Sequence, residues 1–330
     1  MKVEKKRDAS QLKGWWGKNV SAAASYGGLI FCIVLFTIVT PLYGESIWSP
    51  AKLATLMSDV IVTALMSVGA VFIYALGNLD ISIGKQIGLY AAVMVVTGNL
   101  WGTLIPGILI CLVLSVFIAV VNGASGPILN IIPIIPSVVV MQVLSGIITV
   151  IFSSMGTRSI TLKTINYSAF KSPVLMLLVL LIEVAAAVFL FNYTIIGKQA
   201  KMLGSNKTAV GQSGVSIVKI RVLCYIIAGI CFVIAAVFQM GYTGSASDST
   251  GTGFEMNIMV ALILGGMPIS GGVRSRISAA VVGAFTFSLL DVGLPMVGLP
   301  TRMTFIVKAV VFLIVVLITS RSKNTSILPK

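Results

Sequence analysis

Four ionisable side chains, Asp59, Glu183, Asp291 and Lys308, fall inside long apolar runs of a 330-residue chain. Charge placed in hydrocarbon is costly, so position alone makes each a functional candidate. Two chemistries fit them. A relay through the four would couple a proton or ion gradient to solute movement. Alternatively they pair with one another and carry only structure, as an Asp291–Lys308 pair would, and this reading is favoured. Lys308, one or two turns into the last run, can also snorkel. Uncharged polar residues in the same runs, Ser58, Gln142, Ser145, Gln239 and Asn257, are the donors and acceptors that solute hydroxyls require. Asp59, Gln142, Gln239, Asn257 and Asp291 are the candidates for lining a pathway.

Other chemistry has little to build on. The chain has no histidine, which removes the usual zinc, haem and triad partners. Cys32, Cys111, Cys224 and Cys231 lie in apolar runs without ligand-like spacing and read as buried thiols. No G-x-x-x-x-G-K-[ST] loop is present, so nucleotide hydrolysis is not expected in this chain. Neither a metal site nor catalysis is expected.

The elements that must hold these residues are membrane helices. Hydrophobic residues make up 57% of the chain and charged residues only 10%, against about 25% charged in soluble domains. Mean hydropathy is +1.06. Ten apolar runs follow a polar tail, residues 1–27: Gly28–Tyr43, Leu53–Leu76, Ile81–Thr97, Leu104–Val121, Ile135–Phe152, Val174–Phe191, Arg221–Met240, Phe254–Leu264, Ile277–Leu294 and Met303–Thr319. SAAAS precedes the first run, the wrong side for a signal cleavage site. The formal charge of +14 reads as topology, not nucleic-acid binding. With ten spans and both termini inside, the basic tail, Lys85, the 194–221 loop, Arg274, Arg276 and the C-terminal residues all face inward. Only Lys52, Arg158, Lys163, Lys171 and Arg302 then lie in outward loops, as the positive-inside rule demands. The expected fold is an all-α integral membrane protein of about ten transmembrane helices. A single membrane domain, residues 28–320, sits between cytoplasmic termini 1–27 and 321–330.

Two stretches break the pattern. GGMPISGG, Gly265–Gly272, cannot continue a lipid-facing helix, because each unpaired backbone group in hydrocarbon costs several kcal/mol. It therefore belongs at an interface, inside protein or against water. LGNLDISIG, Leu76–Gly84, echoes LGGMPISGG, Leu264–Gly272, and paired interruptions in two halves of a transporter mark functional elements. Asp80, within the first of them, is placed to cap the following helix. The 194–221 loop is basic and polar and reads either as a solvated topology determinant or as a short helix that docks on a partner. The Gly241–Glu255 loop, rich in Gly, Ser and Thr, reads as an outward mouth or a plain connection.

The stretch Thr250–Gly298 resembles the permease subunits of ABC importers of the ribose, xylose, arabinose and galactose type. The resemblance is carried by Thr250, Gly251, Gly253, Glu255, Leu264, Gly265, Gly266, Gly271, Gly272, Arg274, Gly283 and Ala284. Asp80, Ser82 and Gly84 match a further element, with Asn78 and Leu79 departing from it. Gly204, Asn206, Ala209, Ser213, Gly214, Val215 and Lys219 match the segment that meets the ATPase, although Lys207 and Thr208 stand where an acidic pair is common. The resemblance implies a permease in the bacterial cytoplasmic (inner) membrane that imports a monosaccharide or similar small polar solute. It implies three partners: an ATPase subunit that supplies ATP and Mg, an extracytoplasmic substrate-binding protein, and a second permease copy, identical or homologous. Gly204, Asn206, Ala209, Ser213, Gly214 and Lys219 would couple to the ATPase. Asp80, Ser82, Gly84, Gly265, Gly266, Gly271 and Gly272 would form gating turns. An ion-coupled secondary transporter using Asp59, Glu183, Asp291 and Lys308 is the competing function.

Overall fold

A computed structural model describes residues 24–163, 165 and 167–321; the basic tails read at either terminus lie largely outside these. Twelve α-helices dominate: α1 (Ala24–Leu42), α2 (Pro50–Ala75), α3 (Ile83–Trp101), α4 (Ile105–Leu129), α5 (Ile134–Ser154), α6 (Pro173–Asn192), α7 (Ile195–Ser205), α8 (Lys207–Gln212), α9 (Ile217–Thr243), α10 (Phe254–Leu264), α11 (Ile277–Met296) and α12 (Thr301–Arg321). Two short strands, β1 (Ser159–Thr161) and β2 (Ser245–Ser247), pair antiparallel. Each of the ten apolar runs is helical. Among the described residues seven helices, α1, α2, α4, α5, α6, α9 and α11, are long and apolar enough to cross a membrane.

The exceptions have physical reasons. Helix α3 carries Lys85, Gln86 and Asn99, yet most of its residues are buried within the protein, so lipid does not select its composition. Helix α10 has 11 residues, about 16 Å of rise, or half a hydrocarbon core. Two boundaries also move. Helix α4 continues past the predicted Val121 to Leu129 because Asn122, Gly123 and Gly126 are buried against neighbours rather than ending the helix. Helix α9 begins at Ile217, ahead of the predicted Arg221, with Ser216 Oγ accepting the Lys219 N–H at 3.5 Å.

The core is built on α2, which packs against α6, α9, α10 and α11. It is buried throughout Val60–Ala75, whereas α1, α4, α5 and α6 leave most of their apolar faces open. In hydrocarbon there is no hydrophobic drive between helices, so close backbone packing has to replace it. Helices α10 and α11 show this directly. A Cβ at Gly283 would lie 1.8 Å from the Ala261 carbonyl oxygen, and one at Gly265 would lie 1.8 Å from that of Ala279.

The bundle has two distinct ends. At one, α3 meets the strand pair: Asn99 Nδ2 donates to the Thr161 carbonyl and Asn99 Oδ1 accepts from Lys163 N, both at 2.8 Å. At the other, α2 finishes against the Gly265–Gly272 turn and α7. Between them, residues 77–82 run from Ser270, beside Gly77, to α4 and α5, where Asp80 meets Asn122 and Ile81 N donates to Ser137 Oγ, before α3 begins. Lys85 was assigned to an inward loop and Thr252 to an outward one, yet Lys85 Nζ donates to Thr252 Oγ1 at 2.9 Å. The two assignments do not both hold: the 76–84 stretch climbs part of the bundle, from the contact of Gly77 with Ser270 to that of Gly84 with Glu255.

Candidate functional site

The two echoing stretches meet. Gly272 N–H donates to the Ala75 carbonyl at 2.9 Å, and the Gly271 backbone (φ +66°) lies so near α2 that a Cβ would sit 2.3 Å from Tyr74 O and 2.6 Å from Gly77 N. The end of α7 closes the same contact. A Cβ at Gly204 would be 2.0 Å from Ala75 O and 2.7 Å from Gly272 N. Ser205 Oγ accepts from Val273 N–H at 3.0 Å and donates to Lys201 O at 2.9 Å. Three segments distant in sequence therefore share one junction in which backbone meets backbone at Gly204 and Gly271, with room for no side chain at either. Gly265 and Gly266 open the turn, Arg274 beyond it is exposed, and Arg276 precedes α11.

The 194–221 segment splits into two helices, which explains its motif locally. Asn206 caps α8, its Oδ1 accepting the Ala209 N–H at 3.0 Å. Ser213 ends α8, and Gly214 (φ +77°) turns the chain in a left-handed conformation toward α9. Lys219 belongs to the first turn of α9 and is exposed. Helix α7 is tied back to α6 by Lys201, whose Nζ donates to Asn192 Oδ1 at 2.9 Å and lies 4.2 Å from the Phe191 ring centre.

Asp80 is buried and fully engaged in the climbing segment. Its Oδ1 accepts from Ser82 N at 2.8 Å and Ser82 Oγ at 2.6 Å, and its Oδ2 from Asn122 Nδ2 at 3.3 Å. Ser82 Oγ in turn accepts from Asn122 and Gln86. The carboxylate thus stabilises the start of α3 from just before it, as a cap would, and locks that start to α4. Asn122 was missed in the sequence because it fell just past the expected end of its run. Gly84 lies at the far end of this segment, where a Cβ would be 2.1 Å from Glu255 Oε2 and 2.5 Å from Gly251 O. The TGTGFE stretch therefore rests on the first turn of α3.

The four intramembrane ionisable groups do not form one relay. Lys308 pairs with Asp291, its Nζ lying 4.9 Å from the Phe287 ring centre. Asp59 joins this cluster from α2, near Ser288, with Oδ2 left without a hydrogen-bond partner. Glu183 stands apart on α6. Its polar neighbour is Cys231 of α9, and neither carboxyl oxygen has a hydrogen-bond partner. Lys308 is the buried member of the pair and Asp291 is part-exposed; leaving a buried charge unpaired costs about 3–5 kcal/mol, whereas replacing both members is often near neutral. Asp291→Leu should accordingly lower the melting temperature, and Asp291→Leu with Lys308→Met should recover much of the loss. A double variant as unstable as the single one would refute purely structural pairing.

The other pathway candidates remain separate. Gln142 is exposed on α5, and Gln239 and Asn257 are half-buried on α9 and α10. Among the described residues the described hydrogen bonds join none of them to another.

The whole-chain comparison decides the family. Residues 52–316 match the model of the family described as "Branched-chain amino acid transport system / permease component". The chain belongs to that family. The permease is 26% identical over 306 residues to the ribose import permease protein RbsC of Escherichia coli K12, covering 89% of this chain and 93% of that one. It is 24% identical to the RbsC of Bacillus subtilis, covering 88% and 90%. It is also 24% identical to the galactose/methyl galactoside import permease protein MglC of E. coli K12, covering 89% and 94%. No solved structure matches the permease.

Proposed function

We propose that this permease forms the translocation pathway of an ATP-binding-cassette importer for a monosaccharide or similar small polar solute in the bacterial cytoplasmic membrane. The relatives named for ribose and galactose import support the solute class. In this reading the chain crosses the membrane ten times with both termini in the cytoplasm, and α10 together with the climbing 77–82 segment supplies partial crossings. The junction end is cytoplasmic. The ATPase, carrying ATP and Mg, docks on α7 and α8; a substrate-binding protein docks at the strand-pair end.

The observation that carries the mechanism is the junction of Ala75–Gly77, Gly204–Ser205 and Ser270–Val273. A push on α7 reaches the end of α2 and the turn before α11 through backbone contact, without compliant side chains between. Packed interfaces of this kind switch between discrete arrangements instead of deforming smoothly. ATPase closure then biases inward-open against outward-open states by its different contacts with each. A second permease copy completes the path. Helix α5 exposes the polar Gln142 and Thr149 on either side of Gly146 on one face, a surface better covered by a partner helix than by lipid.

Reconstitution with its ATPase and binding protein should give solute accumulation that follows ATP and ignores an imposed proton or sodium gradient. Accumulation by the isolated chain on a gradient alone would refute the proposal. As a check on the pairing of copies, Gly146→Cys on the exposed α5 face should form a disulfide-linked dimer in membranes under mild oxidation. An outward-facing control such as Val174→Cys on α6 should not.

A further inference from the structure

At the junction end, the first turns of α9 carry a cation without a counter-ion. Arg221 is 2% exposed, and its Nε and one terminal nitrogen have no hydrogen-bond partner. Its guanidinium is pressed against α4, where a Cβ at Gly126 would meet it at 3.0 Å. Arg221 lines a half-open cavity of about 360 Å³ together with Asn78, Pro133, Gly204, Lys207 and Ile217. The Asn78 amide nitrogen is also buried and without a partner. Three donor groups, two of them cationic, therefore border one space.

Nothing in the described residues neutralises it. The two ion pairs found there are Lys52–Glu45 and Lys308–Asp291. Asp80 is committed to Ser82 and Asn122. Segments 195–216 and 265–276, which end at the cavity, contain no Asp or Glu. A buried, unpaired cation is strongly unfavourable unless an anion from outside completes it. A guanidinium fork beside an ammonium and an amide matches an oxyanion with several oxygens. The cavity is too large for a lone carboxylate but has room for a phosphate and its substituent. Exposed Leu129 and Ile132, 63% and 67% accessible, sit on the turn leading to Pro133 at its rim.

We infer that this cavity is a phosphate-binding site, with Arg221 and Lys207 holding the phosphate group and Asn78 donating to it. The phosphate comes either from an anionic phospholipid headgroup, which basic pockets at cytoplasmic helix ends accept, or from free phosphate. The cavity borders the junction, sharing Gly77, Gly204 and Ser270 with it, and its occupancy can be read on the purified chain without a transport assay.

The test is thermal unfolding of the full-length permease under two conditions. In detergent, inorganic phosphate is titrated against chloride at equal ionic strength. In nanodiscs, pure phosphatidylcholine is compared with a mixture containing phosphatidylglycerol. One condition or both should raise Tm by about 4 °C or more. Arg221→Gln, which removes the unpaired charge, should be at least as stable as the parent in chloride and should lose the rise. Lys207→Gln, at an exposed position, should weaken the rise without changing the chloride baseline. A response to phosphate alone identifies the free ion, and one to phosphatidylglycerol alone identifies the lipid. The inference is overturned if neither acts, if Arg221→Gln responds like the parent, or if only a protein partner with an acidic segment stabilises the chain.

Discussion

Replacing Gly204 with valine is expected to reduce ATP-driven uptake at least tenfold while the permease still reaches the membrane in normal amount. The first added carbon would stand 2.0 Å from the Ala75 carbonyl and 2.7 Å from Gly272 N, with backbone on both sides. Neither neighbour is a flexible side-chain end, so α7 must move away from α2 and the turn. Overpacking of a close interface costs about 1–3 kcal/mol, and 1.4 kcal/mol already changes an equilibrium tenfold. Because α7 lies outside the seven candidate spans, the damage should fall on transmission and not on insertion. The ATPase should keep much of its basal hydrolysis while losing its stimulation by the loaded binding protein. Uptake within twofold of the parent would show that the junction carries no signal.

The second large effect is on stability. Asp80→Ala should lower the melting temperature of the purified chain by about 6 °C or more. The carboxylate accepts from Ser82 N, Ser82 Oγ and Asn122 Nδ2 in a buried setting, and hydrogen bonds to a charged group are worth about 1.5–3 kcal/mol each. Its removal leaves the buried Ser82 amide and hydroxyl without their acceptor, while Asn122 keeps only its bond to Ser82 Oγ. For a chain of this size each kcal/mol moves Tm by roughly 2–4 °C. Asp80→Asn keeps an acceptor for Ser82 and should lose much less. If the alanine and asparagine variants melt together within a degree of the parent, the climbing segment is held by something else.

Both effects rest on contacts that were only partly legible. The echo of Leu76–Gly84 in Leu264–Gly272 was visible as spacing, and its glycines signalled backbone that a helix could not continue. That the two stretches touch is a fact of packing. Gly77 and Gly271, far apart in number, are neighbours only because α2 and α10 end at the same level. Asp80 was read as a cap, and its bonds to Ser82 agree. Its link to Asn122 could not be foreseen, since that residue sat beyond the expected end of α4. Lys85 and Thr252 were set at opposite ends because a stretch that climbs the bundle was counted as a loop.

From composition and order alone came the membrane solvent, the ten apolar runs, the helical class and the interrupted turn. These follow because hydrocarbon leaves a backbone few choices and because apolar runs are local. Tertiary structure alone decided which polar atoms meet: the Asp291–Lys308 pair with Asp59 beside it, the isolation of Glu183, and the unpaired Arg221. A helix can be rotated about its axis without changing its sequence, and only its neighbours determine which face turns inward.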